Sequence, residues 1–180
     1  MSSLSLLSTE RFCNDAVGPV KEIKLQTDDP IATRKTIKFS KNGKENKSLM
    51  TYNDAGYPTG FGLQMGERES TLKIYYNTEN LVDSLKFKST LTGNGGSLRV
   101  FNSYNDKGEL IHRVIDRTSN KKREDRNTLF DYTFSDFIVD AASNWISRSV
   151  VLEITDRQSG NVDRMEYTET RTIKYYQEDN

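Results

Sequence analysis

Tyr104-Asn105-Asp106-Lys107-Gly108, followed by Glu109-Leu110-Ile111-His112-Arg113-Val114-Ile115, is the stretch that decides the fold. An aromatic residue closes an incoming segment, three polar residues follow, and the glycine supplies the positive φ that a tight reversal requires. The chain then leaves in extended form. The same arrangement recurs at Phe39-Ser40-Lys41-Asn42-Gly43 and at Tyr52-Asn53-Asp54-Ala55-Gly56. It recurs once more at Tyr76-Asn77-Thr78-Glu79-Asn80, where asparagine, the residue that best tolerates left-handed backbone after glycine, takes the last place. Leu81-Val82-Asp83-Ser84-Leu85-Lys86-Phe87 then departs as a strand. The copies are unevenly spaced, which describes an array of hairpins rather than a strict solenoid.

Outward from these turns the period stays near two. Val20, Glu22 and Lys24 alternate with Lys21, Ile23 and Leu25, as in a strand with one buried face, and Asp28-Asp29-Pro30 ends it. Leu129 to Phe137 places Phe130, Tyr132 and Phe134 on alternate positions. Trp145 to Thr155 is rich in β-branched residues, and Arg164 to Tyr176 alternates Met165, Tyr167, Glu169 with Glu166, Thr168, Thr170. The loop Asp156-Arg157-Gln158-Ser159-Gly160-Asn161 joins the last two, so three antiparallel strands are expected there. Asp140 to Trp145 has helical content, but strands on both sides favour a turn, and Trp145 reads as core. Only 3 prolines occur, leaving strand interiors free to pair. Ser8 to Phe12 is the one candidate helical turn, capped by Ser8. The expected organisation is a weakly structured N-terminal segment at 1–16, one β domain at 17–176 and a tail at 177–180. The expected fold is all-β: a single antiparallel sheet of successive hairpins, twisted or half-barrel, with a short N-terminal helix as its only helical element.

Composition narrows function. A chain of 180 residues buries about 70% of its unfolded surface, enough for one core without a disulfide or metal. Charged residues make up 29%, yet 9 Tyr, 8 Phe and 1 Trp in alternating runs mark a folded chain. Lys and Arg number 26 against 26 Asp and Glu, which argues against a nucleic-acid partner, since phosphate binding draws on a basic excess. The densest basic run, Lys121-Lys122-Arg123 with Arg117 and Arg126 nearby, is broken by Glu124-Asp125 and reads as a solvated loop. Cys13 is the single cysteine, so no internal disulfide forms. The first ten residues lack a positive n-region, and no segment approaches the roughly 20 apolar residues of a membrane span. A soluble, cytoplasmic protein is expected unless a leader precedes Met1.

The aromatic–Asn–Asp–x–Gly hairpins at Tyr52 and Tyr104 resemble the tyrosine–aspartate repeats of bacterial Rhs/YD-repeat proteins and of short stand-alone YD-like proteins. Gly18-Pro19-Val20-Lys21, the late turn Asp140-Ala141-Ala142-Ser143-Asn144-Trp145 and the strand Arg171-Thr172-Ile173-Lys174-Tyr175 extend the likeness across residues 17 to 176. The sequence departs from the pattern at Ser143, where glycine is usual, and at Val139, where an aromatic is usual. The resemblance implies a wrapped antiparallel sheet of hairpins, which is scaffold rather than an activity, and relatives that act as binding or immunity-type proteins.

Chemistry finds little support. His112 is the only histidine and lies mid-strand, by alternation on the face of Leu110 and Val114, where a structural or surface role outweighs that of a base. Cys13 beside Phe12 reads as buried or terminal. Zinc lacks its Cys and His ligands. Asn53-Asp54 and Asn105-Asp106 resemble fragments of a calcium loop without its spaced acidic continuation, and turn capping explains them. Thr92-Gly93-Asn94-Gly95-Gly96-Ser97 lacks the GK[ST] ending of a phosphate loop and reads as a hairpin tip. No catalytic, cofactor or metal residue is therefore assigned. The leading expectation is a non-catalytic module that binds a protein, with an immunity protein against a bacterial toxin as its specific form. The competing readings are an enzyme or small-ligand binder with a carboxylate-lined concave sheet, and a structural part of a secreted or envelope assembly.

Overall fold

The structure, a computed structural model, describes residues 20–30, 36–38, 50–54, 57–90, 95–119 and 127–176. The expected turn at Ser8–Phe12, Cys13, the Phe39 pentad, residues 92–94 of the glycine-rich tip and the basic run at 121–123 lie outside them. Eleven strands occur among the described residues: β1 (Val20–Gln26), β2 (Thr36–Lys38), β3 (Thr51–Tyr52), β4 (Pro58–Met65), β5 (Arg68–Tyr76), β6 (Val82–Ser89), β7 (Gly96–Tyr104), β8 (Leu110–Ser119), β9 (Thr128–Val139), β10 (Trp145–Asp156) and β11 (Val162–Tyr175). They form one antiparallel sheet in the order β2-β1-β11-β10-β9-β8-β7-β6-β5-β4-β3, which is not closed into a barrel. No helix occurs among the described residues, and none is long and apolar enough to cross a membrane. The all-β hairpin fold expected from the sequence is the one observed.

The pentads that begin at Tyr52, Tyr76 and Tyr104 are chain reversals. Between β5 and β6, Asn77 donates its amide to the Leu81 carbonyl at 2.9 Å, while its Oδ1 accepts the amides of Glu79 and Leu81 at 3.0 and 2.9 Å. Asn105 repeats this between β7 and β8, bonding the Glu109 carbonyl and accepting the amides of Lys107 and Glu109, both at 3.0 Å. Asp140 does the same between β9 and β10, its carboxylate accepting the amides of Ala142 and Asn144 at 3.0 and 2.9 Å. Short Asn and Asp side chains reach backbone two to four residues ahead, so they organise the turn through contacts local to it. The fourth residue after the aromatic position has positive φ in all three: 61° at Asn80, 76° at Gly108 and 62° at Ser143. The departure from glycine at Ser143 thus leaves the left-handed conformation in place.

Each of the three tyrosine-led hairpins pairs the tyrosine ahead of the turn with the residue six later: Tyr52 with Pro58, Tyr76 with Val82, Tyr104 with Leu110. A register shift follows one residue back in every case. The tyrosines then stitch neighbouring hairpins together. Tyr76 donates its hydroxyl to the Pro58 carbonyl at 2.6 Å, and Tyr104 donates to the Val82 carbonyl at 2.9 Å. Gly60 permits the close pairing of β4 with β5: a Cβ there would lie 2.0 Å from the Leu72 carbonyl oxygen.

The chain divides into two compact units, one of residues 49–133 and 151–165, the other of residues 1–48, 134–150 and 166–180. In the first, alternation buries one face. The cross-strand row Ile74–Leu85–Val100–Ile115–Phe130 is buried throughout, and so is Phe61–Leu72–Phe87–Leu98 beside it. In the second unit Val20, Ile23, Leu25, Ile37 and Trp145 pack together with Phe137, Ile173 and Tyr175 against them, so Trp145 is core as expected.

The second unit also buries charge. Arg148 and Glu169 have no exposed side-chain surface and form an ion pair with Nη2 2.7 Å from Oε2, and Nε donates a hydrogen bond to the same oxygen at 2.9 Å. Thr27 donates its hydroxyl to the other carboxylate oxygen at 3.0 Å. The Arg148 guanidinium stands 3.9 Å from the Phe134 ring centroid and 4.1 Å from that of Trp145. Arg171 lies 4.0 Å from the Trp145 ring and donates Nε to the Trp145 carbonyl. Charge-assisted hydrogen bonds and aromatic faces are the surroundings in which a buried guanidinium is tolerated.

Candidate binding face

The face of the first unit opposite its core is built by the same registers. Its central row runs Tyr75–Ser84–Phe101–Val114–Asp131 across β5 to β9. Tyr75 is 41% exposed and Phe101 47%, with Ser84 on β6 between them, so two aromatics stand clear of the sheet around a small residue. The adjoining row is Lys73–Lys86–Arg99–Asp116. Lys73, Lys86 and Arg99 are exposed, and directly opposed residues in a sheet have Cβ atoms only about 4.5–5.5 Å apart. Lys86 Nζ sits 5.3 Å from the Tyr75 ring centroid. Among the described residues no carboxylate lies within ion-pair distance of Lys73, Lys86 or Arg99. One row further, Lys88 pairs with Glu69 at 3.0 Å, and Asp116 at the end of the cationic row pairs with Arg157 at 3.5 Å.

The other end of this face holds a depression of about 390 Å³ lined by His112, Asp131, Thr133, Val151, Glu153 and Arg164. His112 Nε2 lies 2.7 Å from Asp131 Oδ1, and Arg164 Nη1 lies 3.1 Å from Glu153 Oε1. His112 and Val114 are half-buried on this side, whereas Leu110 is buried at 3%. The register shift beside the Tyr104–Leu110 pair interrupts the alternation that sets Leu110 and His112 on one face in the sequence. Ser103 opposes His112 in the ladder, but no hydrogen bond joins them. A nucleophile works only when its base is within hydrogen-bond reach, so Ser103 and His112 do not make a dyad. No group of three or more His, Cys, Asp or Glu side chains among the described residues is placed to hold a metal ion.

Of the residues weighed from sequence, Asn105 and Asp106 fall in a capped turn. Asn53 donates its amide to the Tyr57 carbonyl and accepts the Tyr57 amide on Oδ1, both at 2.9 Å, as capping requires. Sequence reasoning does not single out the cationic row, nor Tyr75, Phe101, Asp131, Glu153 and Arg164. For Lys73, Lys86, Arg99, Tyr75 and Phe101 the signal is the period-two alternation counted outward from the Tyr76 and Tyr104 turns with the one-residue shift included. No protein-family model matches the chain, and neither a curated protein nor a solved structure does.

Proposed function

We propose that this chain is a non-catalytic protein-binding module whose contact surface is the outer face of β5–β8, and that its partner is a bacterial toxin which it neutralises. The observation that carries the reading is the pair Tyr75 and Phe101, large aromatics held exposed on a sheet beside cations. Aromatic residues and arginine dominate binding energy at protein interfaces, and a sheet presents them at little cost in conformational entropy. The toxin assignment follows from the YD-like hairpins and has its own test. Co-expression with the toxin encoded beside this gene should protect growth and yield a complex. The double variant Tyr75→Ala/Phe101→Ala should weaken that complex by at least about 30-fold, the loss of one hot-spot residue at roughly 2 kcal/mol. Absence of any neighbouring toxin, or full binding by the double variant, counts against the proposal.

A further inference from the structure

We infer that the outer face of β5–β7 receives an acidic amphipathic helix of the partner protein, its carboxylates on Lys73, Lys86 and Arg99 and its apolar stripe on Tyr75 and Phe101. This deepens the protein-binding reading and rests on it.

The starting observation is a contrast within the molecule. Across β2, β1 and β11 the directly opposed residues are Lys38–Glu22–Lys174, a row of alternating sign in which Glu22 Oε2 lies 3.7 Å from Lys38 and Oε1 3.1 Å from Lys174. Opposed like charges destabilise a sheet, and that row avoids them. Lys73–Lys86–Arg99 does the reverse, placing three cations side by side with no carboxylate of the described residues in ion-pair contact. A sheet that balances charge on one row and leaves it unbalanced on another has an uncompensated positive stripe where an anionic surface gains most.

Spacing selects the form of that surface. Neighbouring strands lie about 4.8 Å apart, so the three cations recur at that interval. A helix brings a residue back to the same side every turn, about 5.4 Å along its axis, and after three such residues has drifted by only about 1.2 Å. An extended strand presents same-face residues roughly 6.7 Å apart and is out of step by nearly 4 Å over the same distance. Tyr75 and Phe101, two strands apart, stand about 9.6 Å from each other, close to the roughly 10.5 Å between helix positions seven apart. Ser84 between them leaves room for the side chain at the intervening turn.

Single-stranded nucleic acid also uses basic and aromatic sheet faces. It is disfavoured because the cationic row spans only three strands, closes on Asp116, and belongs to a chain with 26 charges of each sign.

The test uses the full chain and three labelled probes in fluorescence anisotropy. One is an alanine-based helical peptide of about 20 residues with Glu on three successive turns and Leu beside them. The second is the same composition scrambled, and the third is a twelve-residue oligothymidylate. The patterned helix should bind at least about tenfold more tightly than the scrambled peptide. Binding should weaken with added salt and fall at least about tenfold in Lys86→Glu/Arg99→Glu, with Lys86→Gln/Arg99→Gln intermediate. Equal binding of both peptides, tighter binding of oligothymidylate, or no effect of the charge reversals overturns the inference. A toxin complex that survives those reversals but not Tyr75→Ala/Phe101→Ala removes the helix-docking inference alone. A complex that survives both variant sets removes the protein-binding face as well.

Discussion

Replacing Glu169 by glutamine tests whether the buried charges hold the second unit together. The substitution preserves shape and, with its one carbonyl oxygen toward Thr27, turns an NH2 donor toward Arg148, so it removes both the negative charge and the acceptor beside a guanidinium that has no exposed surface. Uncoupling a buried ion pair by removing one partner costs about 3–5 kcal/mol. The contacts of Arg148 with Phe134 and Trp145 persist in the variant and do not offset that cost, because they are made in the wild type as well. For a chain of this length each kcal/mol lowers the midpoint of thermal unfolding by about 2–4 °C, so a fall on the order of 10 °C is expected. Urea denaturation followed by the fluorescence of Trp145, the single tryptophan, gives the free energy directly. The companion variant Arg148→Met/Glu169→Leu removes both charges and should recover most of the loss, since apolar replacements of buried pairs are commonly neutral or stabilising. About 1 kcal/mol should remain missing because Thr27 loses its acceptor. A single variant within about 1 kcal/mol of wild type, or a double variant no better than the single, would falsify the claim that mutual compensation makes these charges tolerable.

Asn105→Ala removes acceptors for two turn amides and should cost about 1–2 kcal/mol in urea denaturation, while an unchanged midpoint would mean the glycine alone sets the turn. Ser143→Gly relieves a left-handed backbone at φ 62° and should raise stability by about 0.5–1 kcal/mol; a loss there would point to a structural role of the serine hydroxyl. Burial pushes the Asp140 carboxyl up, but the hydrogen bond from Tyr175, those from the amides of Asn144 and Ala142, and the nearby Arg171 outweigh it and hold its pKa below the ordinary value. Its contribution to stability is therefore full above about pH 4 and lost as pH falls through the depressed folded value, so Asp140→Asn should flatten the acid limb of the urea midpoint against pH. Lys86→Glu converts three aligned cations to an alternating row and should stabilise the fold by about 0.2–1 kcal/mol for each new pair, a result that a midpoint below wild type would contradict.

The fold is legible in the sequence because its decisive signals are local. Asn77, Asn105 and Asp140 cap their turns through atoms within four residues, and positions 80, 108 and 143 take positive φ whether filled by Asn, Gly or Ser. Ser143 shows which part of the signal matters more: the capping carboxylate three residues earlier keeps the turn without glycine. Alternation likewise places Phe130, Tyr132 and Phe134 on the buried face. It gives Glu169 the same side as Tyr167 and Met165 but not its meaning, since a lone charge in an alternating strand normally marks solvent. Only the arrival of Arg148 from β10 and Thr27 from beyond β1 makes that position a buried one, and both lie far away in sequence.

The proposed binding face is illegible for a different reason. Lys73, Lys86 and Arg99 occupy three strands, and whether they line up depends on each hairpin's offset. Counted back from the Tyr76–Val82 pair without the register shift at Tyr75/Tyr76, Lys73 would oppose Leu85 rather than Lys86. A one-residue slip of that kind sends a strand's whole set of side chains to the opposite face, so the cations would be scattered and the apolar row broken. The shift accompanies the tyrosines ahead of Asn77 and Asn105, each of which pairs with the residue six later and anchors its hydroxyl on the preceding hairpin. The feature that makes the hairpins recognisable thus also aligns the cations on the face away from the core. Because the tyrosine anchors, turn caps and apolar rows secure the sheet without help from that face, Lys73, Lys86 and Arg99 can stand together at a modest energetic cost. On the reading proposed above, their arrangement answers to what the face meets rather than to what holds the fold.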